Sequence, residues 1–286
     1  MTSSAELASF FTTNADAILC ELTSVRGSSP REQGTFMLVG PDALFGTIGG
    51  GALEYMVIDH ARRLIAEGRA EEAMDVPLGP EIGQCCGGRV RVSLRYADGK
   101  TRRQLTDRIA AEDTALPHVY VFGAGHVGRA LAQFLAILPV QLEVIDTRHV
   151  ELDLLPPGVK ARAVAMPEAV VRSAPEGSSY VILTHDHALD FLIAQEALAR
   201  SDSPYVGMVG SQTKRARFAS WFRAEGGDGK ALERLVLPIG SQGLGDKRPE
   251  VIAALAAAEI MVHIGKREAE FARARAPGSL GVVIGR

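Results

Sequence analysis

The sequence predicts a two-domain α/β protein, with a small N-terminal α/β domain and a C-terminal domain built on a parallel sheet. Its 286 residues, 47% of them hydrophobic, suit two domains that each bury a core. After Pro117 apolar runs alternate with helical patterns, which is typical of a parallel sheet covered by helices. We place the N-terminal domain at residues 1–98, a linker at 99–116, the C-terminal domain at 117–265 and a tail at 266–286.

The N-terminal domain is predicted to contain short strands and a helix. Residues 17–25 and 35–39 are apolar and rich in β-formers, so each predicts a strand. A helix is predicted over residues 52–67, where apolar residues recur at helical spacing. Residues 89–96 (RVRVSLRY) alternate basic or polar with apolar side chains, which indicates a half-buried strand. The polar, charged run that follows predicts the linker, either without regular structure or with a short helix in it.

The C-terminal domain begins with a strand, a glycine turn and a helix. The turn, residues 123–128 (GAGHVG), has the spacing of a nucleotide-type motif. Gly123 permits the tight turn, Gly125 lets a phosphate approach the backbone, and Gly128 allows close packing of helix on strand. Asp146 ends the next strand, where it is expected to accept from a ribose hydroxyl. Together with this context, the motif predicts a Rossmann-like domain.

The remaining predicted elements continue the alternation. Strands are expected at residues 118–122, 141–146, 180–183, 205–209 and 235–239, with helices at 129–137, after Asp190 and after Ser211.

Several polar residues near these strand ends are candidate ligands. Ser211 and Lys214 follow a strand that ends in glycine, and a hydroxyl cap followed by a cation suits an anionic ligand. The alternative is a plain helix cap. His126, inside the glycine turn, either reaches a ligand phosphate or lies in solvent. His185 and His187 lack the spacing of a two-metal site. Three roles remain open for the glycine turn: it binds an intact dinucleotide, it binds another phosphate-bearing ligand, or its glycines are required for packing alone.

Two adjacent cysteines, Cys85 and Cys86, lie in a glycine frame. Glycines on both sides free the backbone and remove side-chain cover, so a reactive thiol is expected. Adjacent cysteines cannot easily supply two of the roughly four ligands that zinc requires. The open readings are a structural role, or a thiolate that acts as ligand, nucleophile or sulfur carrier. The third cysteine, Cys20, lies in an apolar strand and is expected in the core.

Composition narrows the class of protein. The net charge of −3 argues against a nucleic-acid binder. No apolar run reaches the roughly 18 residues that a membrane span requires, and the N-terminus has no secretory pattern. Three cysteines do not make a disulfide framework. We therefore expect a cytoplasmic protein with reduced thiols, and a homodimer as the common state of soluble oligomers.

Motifs in both halves of the chain resemble the XdhC/CoxI family. The resemblance runs to about residue 258, and the stretch 243–249 is similar to the closing segment of its xanthine dehydrogenase accessory branch. The segments that carry it are residues 46–54 (GTIGGGALE), 83–88 (GQCCGG), the glycine turn with its histidine, 184–186 (THD), 207–211 (GMVGS) with Lys214, and 237–240 (LPIG).

The resemblance implies a chaperone for the molybdenum cofactor with no turnover of its own. Members bind the cofactor, promote exchange of an oxo for a sulfido ligand on molybdenum, and insert the product into xanthine dehydrogenase. The implied partners are xanthine dehydrogenase, a cysteine desulfurase that supplies sulfur, and the proteins of molybdenum cofactor biosynthesis. The family motifs map onto Cys85, the first choice as molybdenum ligand, and onto Cys86, Gly49, Gly50, Gly51, Gly87 and Gly88.

A pterin with a terminal phosphate requires amide-rich glycine loops and cations, which the sequence offers in both domains. Two other functions remain open on the residues alone. One is an NAD(P)-dependent oxidoreductase that uses the glycine turn and Asp146 to bind a nucleotide. The other is a scaffold that docks the desulfurase to the dehydrogenase.

Overall fold

The computed structural model describes residues 4–80, 87–241 and 245–275. It divides the chain into two compact units, Met1–Ala115 and Leu116–Arg286. Unit 1 carries an antiparallel sheet and unit 2 a parallel sheet, which confirms the predicted α/β fold with two domains.

Unit 1 is a five-stranded sheet with helices on both faces. The sheet has the order β3-β2-β1-β5-β4, and every neighbouring pair is antiparallel. Its described elements are α1 (Ser4–Thr13), β1 (Ile18–Arg26), β2 (Phe36–Val39), β3 (Leu44–Gly46), α2 (Gly51–Glu67), β4 (Glu71–Pro77), β5 (Arg89–Tyr96) and α3 (Gly99–Ala115).

Alternation along the strands of unit 1 divides its core into two layers. In β5, Val90, Val92 and Leu94 are buried against α2, while the residues between them face the other side. On that other side, Leu19 of β1 packs with the buried residues of α1 and α3. The sheet is therefore covered by α2 on one face and by α1 and α3 on the other.

The expected linker at residues 99–116 is different in the structure. Residues 99–115 form helix α3, and the boundary between the units falls after Ala115. Helix α3 has a narrow apolar stripe within its charged sequence. Leu105 and Ile109 are one turn apart, and both are buried against α1. Two buried side chains in 17 residues gave little periodicity to detect.

Unit 2 alternates strands and helices along most of its length. Its described elements are β6 (His118–Phe122), α4 (His126–Leu135), β7 (Gln141–Asp146), α5 (His149–Leu152), β8 (Lys160–Ala163), α6 (Glu168–Ser173), β9 (Ser179–Ile182), α7 (His187–Ala199), β10 (Val206–Met208), α8 (Gln212–Ala224), α9 (Gly229–Glu233), β11 (Leu235–Val236) and α10 (Pro249–Arg275).

The sheet of unit 2 is fully parallel, with the order β11-β10-β9-β6-β7-β8. The chain moves outward from β6 to β8 and then returns to the other side of β6 with β9. This reversal makes the carboxyl ends of β6 and β9 the switch point, where Rossmann-type sheets bind ligands. One face packs against α4 and α10, and the other against α6, α7, α8 and α9.

Helix α10 extends into the region expected as a loose tail. It continues to Arg275, so residues 266–275 are helical, and residues 276–286 lie outside the described part. Ala253, Ala256, Ile260 and Ile264 bury one side of α10 in the core that it shares with α4. No helix in the described ranges is both long and apolar enough to cross a membrane.

Candidate functional site

The glycines that follow the two cysteines lie against the end of β1. Cys85 and Cys86 themselves lie outside the described residues. On either side of the undescribed residues, Leu78 and Gly88 continue the pairing of β4 with β5: the Leu78 amide donates to the Gly88 carbonyl at 2.8 Å. A Cβ on Gly88 would come within 2.0 Å of the Ser28 carbonyl oxygen, so only glycine fits there. Gly87 has a φ of +67°, which also favours glycine.

The loop of Gly49, Gly50 and Gly51 holds a carboxylate of its own chain. Glu54 reaches back over the N-terminus of α2, and its Oε2 accepts from the amides of Gly50 at 2.9 Å and Ile48 at 3.3 Å. The Thr47 hydroxyl donates to the same oxygen at 2.5 Å. Of the glycine amides expected to bind a phosphate, that of Gly50 is therefore already bonded to an internal anion, and that of Gly49 donates to the Thr47 hydroxyl at 3.2 Å.

A single loop of residues 27–31 touches both glycine segments. Ser28 meets Gly88, as above, and a Cβ on Gly49 would lie 3.0 Å from Cγ of Pro30. The structure thus brings the two predicted glycine segments of unit 1 to the same end of the sheet.

A cavity of about 940 Å³ opens beside this loop. The aromatic rings of Phe36 and Phe45 and the cations Arg31 and Arg108 contribute to its lining, together with Thr47. The Arg108 guanidinium stacks on Phe36 at 4.9 Å from the ring centroid. The sequence did not predict this cavity, because Arg108 lies in α3, where the sequence pattern predicts a linker.

The glycine turn of unit 2 divides into two packing positions and one open position. A Cβ on Gly123 would lie 2.3 Å from the carbonyl oxygen of Leu183, and one on Gly128 would lie 1.9 Å from that of Gly123. Gly125, by contrast, has open space around it and caps α4 without a side-chain hydrogen bond. His126 begins α4 and is exposed. The geometry leaves the backbone near Gly125 accessible to an anion.

Asp146 lies at the expected strand end, but its carboxylate is fully engaged. Oδ1 accepts from the backbone N–H and Nε of Arg148, both at 3.0 Å, while Oδ2 accepts from Ala124 N–H at 2.8 Å and Arg148 Nη2 at 3.1 Å. Burial alone would raise the pKa of Asp146, but the hydrogen bonds from Arg148 and Ala124 outweigh it and lower the pKa. Each oxygen already accepts from two donors, which leaves no lone pair for a ribose hydroxyl.

Lys214 is buried in an ion pair with Asp190 rather than extended towards solvent. Its Nζ lies 2.5 Å from Asp190 Oδ2 and donates to the Val209 carbonyl at 2.9 Å. The other oxygen of Asp190 accepts from the Thr184 amide at 3.0 Å and from its hydroxyl at 2.7 Å. Ser211 caps α8, since its hydroxyl accepts from the Lys214 amide at 3.3 Å. This cluster ties the ends of β9 and β10 together.

A second cavity, of about 510 Å³, opens over this cluster. Its lining includes Thr184, His187, Phe191, Ser211, Lys214 and Arg217. It adjoins the glycine turn, since the nearest neighbours of Gly123 are Leu183 and Thr184. The turn and the Ser211–Lys214 segment, predicted separately, therefore meet at the same sheet edge.

The histidines after β9 do not form a metal centre. Asp186 caps α7 by accepting from the Ala188 amide, and Asp190 is committed to Lys214. Within the part of the chain that the structure describes, no three His, Cys, Asp or Glu side chains are grouped as metal ligands would be.

Comparison with known proteins gives matches in both units. Residues 12–76 match the family described as XdhC and CoxI family, and residues 119–260 match the XdhC Rossmann domain. The uncharacterized protein YqeB of Escherichia coli K12 is 27% identical over 263 residues, which cover 87% of this chain. The match spans only 43% of that relative's length, so the chain spans less than half of it.

A solved structure shows the same fold. A crystal structure described as a xanthine dehydrogenase from Bacillus halodurans superposes with a TM-score of 0.75 at 19% identity. The match covers 93% of this chain and 97% of that one, so it includes both units. From the matches in both units, this chain belongs to the XdhC and CoxI family.

Proposed function

We propose that this protein is a molybdenum cofactor-binding chaperone that supports sulfuration of the cofactor and its insertion into xanthine dehydrogenase. Family membership supports the coarser role, that of an accessory protein in xanthine dehydrogenase maturation. The observation that carries the finer proposal is the cavity of about 940 Å³ beside the glycine segments of unit 1. The cofactor is the cargo of the protein in this proposal, and a cysteine desulfurase supplies the sulfur.

The residues around this cavity suit the chemistry of the cofactor. Its volume lies within the range of about 300–1,000 Å³ that small-molecule sites occupy. Phe45 offers an aromatic ring to a planar pterin, and Arg31 offers donors to its oxygens, while Glu6, Glu32 and Glu112 also line the cavity. Cys85, which lies outside the described residues, is proposed to supply a soft thiolate to molybdenum.

The sheet edge of unit 2 supports a second anionic contact. The amide end of α4 at Gly125 is open, and Arg217 lines the adjoining cavity as an exposed cation. We propose that this edge binds the phosphate of a nucleotide. An NAD(P)-dependent oxidoreductase is less well supported, because the carboxylate of Asp146 is saturated by Arg148 and Ala124.

The test is transfer of cofactor from the loaded protein to an apo-xanthine dehydrogenase. Wild type is compared with Cys85→Ala and Cys86→Ala, and Cys20→Ala serves as the control because its thiol is buried in the core. We expect Cys85→Ala to weaken cofactor binding at least about tenfold, a free-energy change of about 1.4 kcal/mol, and to abolish activation of the dehydrogenase. Bound cofactor is measured as oxidised pterin fluorescence.

The possible outcomes separate the function from the site. A wild-type protein that neither binds the cofactor nor activates the dehydrogenase would contradict the function. Unchanged binding by both single variants would contradict the cysteine assignment alone. Saturable nicotinamide binding that Gly125→Val weakens would favour the oxidoreductase instead.

A further inference from the structure

Three arginines gather around one carboxylate at an exposed part of the unit 1 sheet. Arg26 ends β1, and Arg89 and Arg91 begin β5. Together with Asp75 of β4 they line a small depression of about 90 Å³. The sequence suggests only that Arg89 favours the thiolate form of the neighbouring cysteines, and it gives Arg26 and Arg91 no role.

The strand register explains why the three side chains lie on one face. Arg26 is paired with Arg89, and Arg91 is paired with both Ser24 and Asp75. Alternate residues of a strand face the same side, so Arg89 and Arg91 share their side with Arg95. Arg95 binds Glu21, which also binds Arg108 of the large cavity. The cluster therefore lies on the same face of the sheet as that cavity.

The cluster has more positive than negative charge. Arg89 donates through Nε to Asp75 Oδ1 at 2.7 Å, while Arg26 and Arg91 make no side-chain hydrogen bond to any described residue. The hydrogen bond from Arg89, with the charges of Arg91 and Arg26, holds the pKa of Asp75 below its usual range. With Asp75 charged, three guanidiniums face one carboxylate. Like charges directly opposite each other on paired strands repel unless an anion lies between them.

The position of the cluster relative to the glycine segments suggests what it binds. Gly88 precedes Arg89 directly and packs on the carbonyls of Arg26 and Ser28. The other expected phosphate contact in unit 1, the amide group of Gly50, is taken by Glu54. An anion that enters this end of the sheet therefore meets guanidinium donors at the arginine cluster, whereas the Gly50 amide already donates to Glu54 and the Gly49 amide to Thr47.

We propose that Arg26, Arg89 and Arg91 form a binding site for a phosphate monoester dianion. Two negative charges match the excess of two guanidiniums, and planar guanidiniums suit two-point contact with phosphate oxygens. Asp75 orients Arg89 by holding its Nε, which leaves both Nη groups to donate. The identification of this phosphate monoester with the terminal phosphate of the pterin cofactor rests on the proposed function.

The first experiment tests the site without the cofactor. Inorganic phosphate is titrated into the full-length protein at constant ionic strength set with chloride, and binding is followed by ³¹P NMR. We expect Arg26→Gln/Arg91→Gln to raise the apparent Kd for phosphate at least about tenfold, because two of three charged donors are lost. Arg95→Gln, on the same strand and face, should bind as wild type does. Equal binding by all three proteins would overturn the proposal.

The second experiment identifies the ligand. Molybdenum cofactor released from a purified molybdoenzyme is compared with the same preparation after phosphatase treatment. The wild type should prefer the phosphorylated form, and Arg26→Gln/Arg91→Gln should lose that preference. If the double variant keeps the preference, the arginine site is wrong and the chaperone proposal stands. If wild type binds neither form but binds phosphate through the arginines, the chaperone proposal is wrong and the anion site stands.

Discussion

Buried and half-buried charged side chains in unit 2 tie separate segments of the chain together. Asp190 is fully buried and holds Lys214, which is 24 residues further on. Arg200 is anchored by Asp202 and donates to the carbonyls of Val171 and Ala174 at the end of α6. Breaking such a pair leaves an uncompensated charge in a place that water reaches poorly. These ion pairs fix the positions of the loops at the edges of the sheet.

The ion pair of Asp202 with Arg200 predicts a loss of stability in acid. Hydrogen bonds from Arg200 and from the Gly177 amide hold the pKa of Asp202 at about 2, against burial, which would raise it. A folded pKa below the unfolded value of about 3.9 stabilises the protein above that pH, and the contribution disappears as pH falls towards 2. We expect Asp202→Asn to lower the free energy of unfolding by about 1–2 kcal/mol at pH 7 and to flatten its decline below pH 4.

Urea unfolding followed by circular dichroism at pH 7 and pH 3 measures this effect. Asp153→Asn, an exposed aspartate of the same unit, is the control and should change neither value. An Asp202→Asn protein with the acid dependence of wild type would contradict the prediction.

Two carboxylates show what the sequence left undetermined at the scale of single residues. The spacing placed Asp146 at its strand end, but could not show that Arg148, two residues later, would fold back and occupy both oxygens. Glu54 belongs to a motif that the sequence analysis names, but it lies four residues after the N-cap Gly50, one residue beyond the N3 position of a capping box, so the spacing did not predict its bond to the Gly50 amide. Side-chain partners depend on rotamers and on competing donors, which a linear pattern does not encode.

At the scale of elements, the glycine turn packs closely against the first turn of α4. The space between Gly128 and the Gly123 carbonyl is closed, whereas Gly125 faces open space. The three glycines therefore have different physical roles: Gly128 packs closely on the strand end, as the motif predicts, and Gly123 has the positive φ of a tight turn. The ligand contact at Gly125 stays a prediction.

We expect substitutions at these glycines to separate stability from binding. Gly128→Ala places a Cβ where the carbonyl oxygen of Gly123 lies 1.9 Å away, so α4 must shift, at a cost of about 1–3 kcal/mol or more. Gly125→Ala meets no atom and should stay within about 1 kcal/mol of wild type. Thermal and urea unfolding of both proteins measure the difference. Equal destabilisation would show that the turn tolerates a Cβ only by moving as a whole.

Strands with several buried side chains were predicted more accurately than strands with few. The boundaries of β5, β6 and β7 agree with the sequence expectation, because their side chains alternate or are buried throughout. Strand β8 (KARA) buries no side chain completely and gave no signal. Helix α10 was missed although its buried alanines recur at helical spacing. The chemistry of the large cavity could not be predicted, since Arg108 joins it only through tertiary packing.

At the scale of the whole molecule, each unit buries a core of its own. Leu22 and its neighbours fill the space between α2 and the antiparallel sheet, and Leu131 lies in the core between α4, α10 and the parallel sheet. Both side chains are completely buried. The composition of the chain anticipated two cores, because its apolar residues are spread through both halves.

Separate cores predict that a core truncation acts on the unit in which it lies. Leu22→Ala and Leu131→Ala should each lower the local free energy of opening by about 2–5 kcal/mol, since each leaves a cavity. Hydrogen exchange measured by mass spectrometry should then show faster exchange in β1 and β5 for the first variant, and in β6 and β9 for the second. Ile137→Ala, at a side chain 74% exposed, should change neither set. If either core variant accelerates exchange equally in both sheets, the two units unfold as one cooperative body and a ligand bound to one would stabilise both.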